Sequence, residues 1–269
     1  MVFDPRADRS LGSFVGPERA DGTERGGRSS TDPATVLAPL ERNGDAMTQP
    51  YTTVLVDLDG TVMDSAPGIT RTLAVALDEL GLPVPPPARL LEFVGPPILD
   101  GLRDVAGIEG AEAHRVLDRY RAHYRVTGAF EAEPYPGIRE ALEALRRSTP
   151  LAIATSKPES VATRILEHFG FAPLFTVIAG ASDDETRSEK ADVITRALEL
   201  LVERGVDVSR PVMVGDRVHD VAGAAVHGIP AILAGWGYGA PEEGAGTVAI
   251  AASPADLPAL VERGAPDHP

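Results

Sequence analysis

Residues 51–65 read Y-T-T-V-L-V-D-L-D-G-T-V-M-D-S. Four β-favouring residues, Thr53 to Val56, run straight into Asp57, Asp59, Gly60 and Thr61. A short apolar run closed by acids and a glycine predicts a buried strand ending in a loop. Two carboxylates two residues apart at a strand end can converge on one metal ion or one reacting group. The same pair can also be no more than turn and capping residues, so its meaning depends on what the rest of the chain brings to it.

Beyond Ser65 the period changes. Ile69, Leu73, Ala76, Leu77 and Leu80 recur at helical spacing, and Gly81 with Pro83 ends the segment. Pro85-Pro86-Pro87 breaks the chain before a short helix from about Ala88. A loop at Gly95-Pro96-Pro97 separates that helix from helical patterns over Ile98 to Val105 and Ala111 to Thr127. No strand pattern occurs between Ser65 and Pro134, which predicts an all-helical insertion.

After Tyr135-Pro136-Gly137 the pattern alternates. Helices are expected over 138–147, 158–169, 190–203 and 220–227, with strands over 151–154, 175–179, 211–214 and 231–233. Such alternation predicts a parallel sheet covered by helices on both faces, an α/β, Rossmann-like core. Sites in such sheets form at the carboxyl ends of the strands. There the chain supplies Asp57 and Asp59 after the first strand, Thr155-Ser156-Lys157 after the second, and Gly215-Asp216-Arg217 with Asp220 after the fourth. Lys190 opens the helix before that fourth strand.

Composition narrows the chemistry. The 269 residues carry a formal net charge of −15, which argues against a nucleic-acid polymer held by charge neutralisation. There is no cysteine, so disulfides and thiolate chemistry are excluded. No apolar run approaches the ~20 residues that span a bilayer, and the N-terminus lacks the basic-then-apolar pattern of a secretory signal; a cytoplasmic location is expected. Of 25 basic residues only two, Lys157 and Lys190, are lysine. Arginine is a planar fork and lysine a compact point charge on a flexible stem, so rarity marks both positions as candidates. Residues 1–50, rich in Gly, Arg, Asp, Ser and Pro, are expected to be a disordered extension. Met47, just ahead of the first strand, is a candidate alternative start.

The residue types define a chemistry. Carboxylates and water suit Mg²⁺, which takes oxygen ligands. Hydroxyl, backbone N–H and ammonium groups suit a phosphate. Asp57 could attack phosphorus as a nucleophile, and Asp59 could carry the proton to the leaving oxygen and later take one from water.

D-L-D-G-T at 57–61, A-T-S-K-P at 154–158, Lys190 and G-D-R-V-H-D at 215–220 together resemble the four motifs of the haloacid dehalogenase-like hydrolase superfamily. The order and spacing match over Tyr51 to Gly239. The helical insertion resembles the α-helical cap of the phosphoglycolate-phosphatase-like branch. The resemblance implies a core of residues 51–66 and 135–269 and a cap of residues 67–134. It implies Asp57 as nucleophile, Asp59 as acid/base, and Thr155, Ser156, Lys157 and Lys190 around the substrate phosphate. Mg²⁺ would be held by the Asp57 carboxylate, the Asp59 backbone carbonyl and Asp216, with Asp220 supporting from behind.

The resemblance further implies a small phosphorylated metabolite as substrate. Phosphoglycolate is the first expectation; a nucleoside 5′-monophosphate and a sugar phosphate are alternatives. Dehalogenases of the superfamily lack the second acid, which is present here as Asp59. Phosphonoacetaldehyde hydrolases need a cap lysine, and residues 65–134 contain none. Hexose-phosphate mutases share both acids and remain open; the intact set Asp57, Asp59, Thr155, Lys190 and Asp216 argues against a non-catalytic binding protein. His219, His114 and His123 are expected to play no chemical part, and Arg71, Arg103, Arg115, Arg119, Arg121 and Arg125 to decorate solvated helix faces. The loops Phe93 to Pro97 and Trp236 to Gly239 are expected near the rim of the site.

Overall fold

The computed structural model describes residues 49–184 and 186–264. The expected disordered tail up to residue 48, and the candidate start at Met47, lie outside those residues. In chain order the elements are β1 (Thr53–Val56), β2 (Met63–Asp64), α1 (Ala66–Glu79), α2 (Pro87–Leu90), α3 (Ile98–Asp104), α4 (Gly110–Tyr124) and β3 (Glu133–Pro134). Next come α5 (Ile138–Leu145), β4 (Leu151–Pro158), α6 (Glu159–His168), β5 (Val177–Ala181), α7 (Lys190–Glu203), β6 (Pro211–Gly215), α8 (Val218–Val226), β7 (Ala231–Ala234), β8 (Ala249–Ala251) and α9 (Leu257–Arg263).

Six strands form one parallel sheet in the order β5-β4-β1-β6-β7-β8. β1 lies between β4 and β6, with Val54 opposite both Leu151 and Val212. Alternate residues feed two buried clusters. Val54, Val56, Ile153 and Val214 belong with α5, α6 and α9 side chains such as Leu142, Ile165 and Leu257. Leu55, Ala152, Ala154 and Met213 belong with Val193, Ile194 and Ala197 of α7 and Ala224 of α8. Burial on both faces is why β1 reads as a continuous apolar run rather than an alternating one.

The first cluster continues into the helical insertion through Ile69, Leu73 and Leu77 of α1 and Val116 and Tyr120 of α4. α1 starts with Pro67 in its first turn and buries that stripe. It stops where Gly81 takes φ +69° and the Leu82 N–H returns to the Leu77 carbonyl, a conformation that costs glycine least.

Several elements differ from the sequence expectation. Glu133–Pro134 is a strand inside the stretch expected to be wholly helical; it pairs antiparallel with β2 and closes the insertion at its base. Two residues are too few to show a period. β8 and α9 lie beyond the last expected strand. The second strand does not end at Ala154 but runs to Pro158. It does so through an irregularity: Thr155 pairs with Gly180 and Pro158 with Ala181, so Ser156 and Lys157 have no partners on β5. Pro158 accordingly precedes α6 rather than lying within its first turn.

Candidate active site

β1 carries Asp57 and Asp59 past the sheet edge, and the next turn is set by Gly60 at φ +84°. A Cβ on Gly60 would overlap the Asp216 carboxylate, so this position requires glycine for both conformation and space. β6 delivers Asp216, and α8 delivers Asp220, whose Oδ2 accepts the Arg217 N–H at 3.0 Å. β4 delivers Thr155, Ser156 and Lys157, and α7 begins at Lys190.

Asp57, Asp59, Thr155, Lys157, Lys190, Asp216 and Asp220 are all buried. Lys190 Nζ stands 2.7 Å from Asp57 Oδ1 and 2.7 Å from Asp220 Oδ1, and donates to the Ala154 carbonyl at 3.0 Å. Burial works against the Lys190 charge, but Asp220 and Asp57 more than offset it and hold its pKa above the usual lysine value. Burial, only partly countered by Lys190 and reinforced by Asp220, pushes Asp57 up to about 6. Burial and the charges of Asp220 and Asp57 push Asp216 well above the usual carboxylate range. Asp216 is steadied by the Tyr238 N–H at 2.8 Å and the Thr61 hydroxyl at 3.3 Å.

One carboxylate oxygen from each of Asp57, Asp216 and Asp220 falls within 4.8 Å of the others. The donors are oxygen only and buried, and the strain of their negative charges shows in the raised pKa values of Asp57 and Asp216. Such a set fits a hard divalent cation. The side chain of Asp59 is not part of this cluster. It points to Lys157, whose Nζ lies 2.9 Å from Asp59 Oδ2, while Asp59 Oδ1 is buried without a partner.

Each expected site residue therefore has a definite place. Lys190 joins Asp57 to Asp220, Lys157 joins Asp59 to the Tyr124 hydroxyl at 2.9 Å, and the Thr155 hydroxyl accepts the Lys157 N–H at 3.3 Å. Ser156 lines two hollows. One lies between the insertion and the sheet edge, walled by Ile69, Phe93, Leu117, Tyr120 and Tyr124 and floored by Asp59 and Lys157. Arg121 and Arg125 also line it. The other includes Lys190, Arg217 and His219.

The remaining candidates sort simply. Trp236 Nε1 donates to the Thr61 carbonyl at 3.0 Å and Tyr238 holds Asp216, so that loop abuts the acids. The Val94 carbonyl accepts from Arg217 at 2.7 Å, which brings the Phe93 to Pro97 loop against the fourth motif. His114 caps the Gly110 carbonyl and His123 contacts Glu79, both away from the acids. Arg71 pairs with Glu131, Arg103 with Asp104, and Arg119 with Glu79.

Tyr120 and Tyr124 carry no signal in the sequence that marks them for the site. Their four-residue spacing places them on the buried stripe of a helix, where aromatic side chains are ordinarily core. They stack with centroids 5.1 Å apart, and burial raises both phenols well above their usual pKa.

Residues 54–234 match the family model described as haloacid dehalogenase-like hydrolase. A 5′-nucleotidase of Pseudomonas aeruginosa is 40% identical over 72% of this chain and 86% of its own length. Tyrosine-protein kinase PtkA of Mycobacterium tuberculosis is 46% identical over 69% of this chain, which spans 62% of that relative's length. A plasmid-encoded phosphoglycolate phosphatase of Cupriavidus necator is 33% identical over 79% of this chain and 94% of its own. A solved structure of a predicted phosphatase from Clostridium acetobutylicum superimposes with TM-score 0.73 at 36% identity, covering 78% of this chain and 98% of that one.

Proposed function

Because this chain belongs to the haloacid dehalogenase-like hydrolase family, we propose that it is a Mg²⁺-dependent phosphatase that cleaves a small phosphate monoester through an aspartyl-phosphate. The observation that carries the reading is the separation of the two acids of D-L-D. Asp57 lies with Lys190 beside the carboxylate cluster, and Asp59 turns away towards Lys157 and the cavity. One acid is thereby suited to attack, the other to proton transfer.

In the first step an Asp57 carboxylate oxygen forms a bond to phosphorus as the ester P–O bond breaks, and Asp59 gives its proton to the departing oxygen. In the second step Asp59 takes a proton from water, the water oxygen attacks phosphorus, and the Asp57 carboxylate leaves. Thr155, Ser156, Lys157 and Lys190 supply the hydroxyl and ammonium donors for the phosphoryl oxygens. Asp57, Asp216 and the Asp59 backbone carbonyl would hold Mg²⁺, with Asp220 behind them. That ion would supply neutralisation of the negative charge that nucleophile and phosphate share. The helical insertion acts as the cap of the site, excluding water and contacting the leaving group.

Phosphoglycolate is the first candidate substrate, supported by the Cupriavidus relative. A nucleoside 5′-monophosphate is the second. The hollow beside Asp59 has ring-bearing walls in Phe93, Tyr120 and Tyr124, a lining that suits the flat face of a nucleobase.

Asp57→Asn removes the nucleophile without changing the shape of the residue. Phosphate release from p-nitrophenyl phosphate should fall about a thousandfold or more, with an unchanged circular-dichroism spectrum. Retained turnover in this variant would end the nucleophile assignment. Phosphoglycolate, nucleoside monophosphates and hexose monophosphates, each with and without Mg²⁺, then rank the leaving groups.

A further inference from the structure

Both lysines of the chain are committed to the acids of D-L-D, one each: Lys190 to Asp57 and Lys157 to Asp59. The second pair is the unusual one, because its third member belongs to the insertion. Lys157 Nζ stands 2.9 Å from Asp59 Oδ2 and donates to the Tyr124 hydroxyl at 2.9 Å, with the same ammonium 4.6 Å from the Tyr124 ring centre. We propose that Lys157 and Tyr124 are positioning residues for the proton carrier. The Tyr124 hydroxyl fixes the Lys157 ammonium, and the ammonium fixes one oxygen of Asp59 so that the other is kept for the leaving group. The proposal rests on the acid/base reading of Asp59.

Four features of the chain converge on it. The irregularity in β4 frees Ser156 and Lys157 from the β5 ladder; such interruptions re-aim a side chain near a site, and Lys157 is buried among the acids rather than at a sheet face. With Oδ2 taken by Lys157, Asp59 Oδ1 is left buried and without a partner, which is costly unless a ligand uses it. Asp59 floors the cavity between insertion and sheet edge, so the ligand that would use it enters there. Tyr124 is itself held by its stack on Tyr120 and is buried. Its hydroxyl therefore has little freedom, and Lys157 inherits that order. An arginine could not substitute, since a fork would not serve one oxygen of Asp59 and one hydroxyl as a point charge does.

Leaving-group dependence separates this role from ordinary packing or substrate contact. p-Nitrophenolate departs without a proton, whereas the alkoxide of benzyl phosphate needs one, and each ester carries a single ring for the cavity to hold. Values of kcat/KM report the steps up to phosphorylation of Asp57. In Tyr124→Phe, which keeps the ring, benzyl phosphate should lose about tenfold more in kcat/KM than p-nitrophenyl phosphate, a modest share of what general acid catalysis supplies. Lys157→Met should move the ratio in the same direction. The ratio of the two esters does not depend on how much of a variant is folded. In an Asp59→Asn background Tyr124→Phe should leave the ratio where Asp59→Asn put it, as expected for residues acting in one chain.

Equal losses for both esters, or no loss for either, would overturn the positioning role. If Asp59→Asn itself lowers both esters equally, the acid/base assignment fails and the proposal falls with it. If Asp59→Asn shows the dependence and Tyr124→Phe does not, only the proposal fails.

Discussion

Arg217 donates through Nη1 to the Val94 carbonyl at 2.7 Å, tying the G-D-R turn after β6 to the loop ahead of α3. The same guanidinium reaches Glu243 at 3.2 Å through Nε, and Glu243 in turn accepts the Val218 and Ala240 N–H groups. One side chain thus holds the insertion, the metal-side turn and the loop after β7.

Arg217→Met should release that junction. Hydrogen bonds to a charged group contribute about 1.5–3 kcal/mol net when little exposed, and the two side chains are 17% and 20% exposed. Urea unfolding should show a loss of about 1–3 kcal/mol, and amide exchange should quicken at Val94 and Gly95. A variant with the parent's unfolding midpoint and exchange pattern would refute the junction.

Lys190→Met tests the other lysine. The methionine keeps most of the stem but leaves Asp57 and Asp220 facing each other in a buried site. Removing one partner of a buried charge group costs about 3–5 kcal/mol. The loss should be largest at pH 8 and shrink towards pH 5, as Asp57 takes up a proton. A stability equal to the parent at pH 8 would show that Lys190 does not compensate the acids.

Protons and Mg²⁺ should compete for Asp57 and Asp216. The metal-free folded chain holds the Asp57 proton up to about pH 6, against an ordinary aspartate value of 3.8. The stability this raised value contributes is complete below about pH 4 and is lost as pH rises through about 6. Mg²⁺ affinity should run the opposite way, rising through pH 6 as Asp57 ionises, with Asp216, which burial also raises, acting in the same direction. Trp236, the single tryptophan, donates to the Thr61 carbonyl beside the acids and offers a fluorescence signal. Mg²⁺ at a hundred times its Kd should add about 2.7 kcal/mol of stability, and chelation should remove it. Equal affinity at pH 5 and pH 7.5 would contradict the assignment of these carboxylates.

The helices and long strands were legible because their periods are local. Lys190 opens α7 and closes no other element, and Thr53 to Val56 reads as a strand without help from its neighbours. The β2–β3 ribbon was not legible, since Met63 and Pro134, like Asp64 and Glu133, acquire their meaning only from each other. The irregularity in β4 is likewise a property of two strands: T-S-K-P shows no interruption until Gly180 and Ala181 are laid beside it. Tyr120 and Tyr124 read as core, and they are core; that both also wall a cavity, and that Tyr124 holds Lys157, depends on β4 arriving beneath α4.

The order of residues along the chain already dictates which groups meet. Parallel strands bring their carboxyl ends to one edge, so residues after successive apolar runs gather there whatever their distance along the chain. How those groups pair is set by packing in three dimensions. Hydrogen bonds and ion pairs act over about 3 Å, and the choice of Lys190 for Asp57 and Lys157 for Asp59 is made at that range. D-L-D is written as two like acids two residues apart. Burial beside different partners makes one a member of the carboxylate cluster and turns the other towards the insertion.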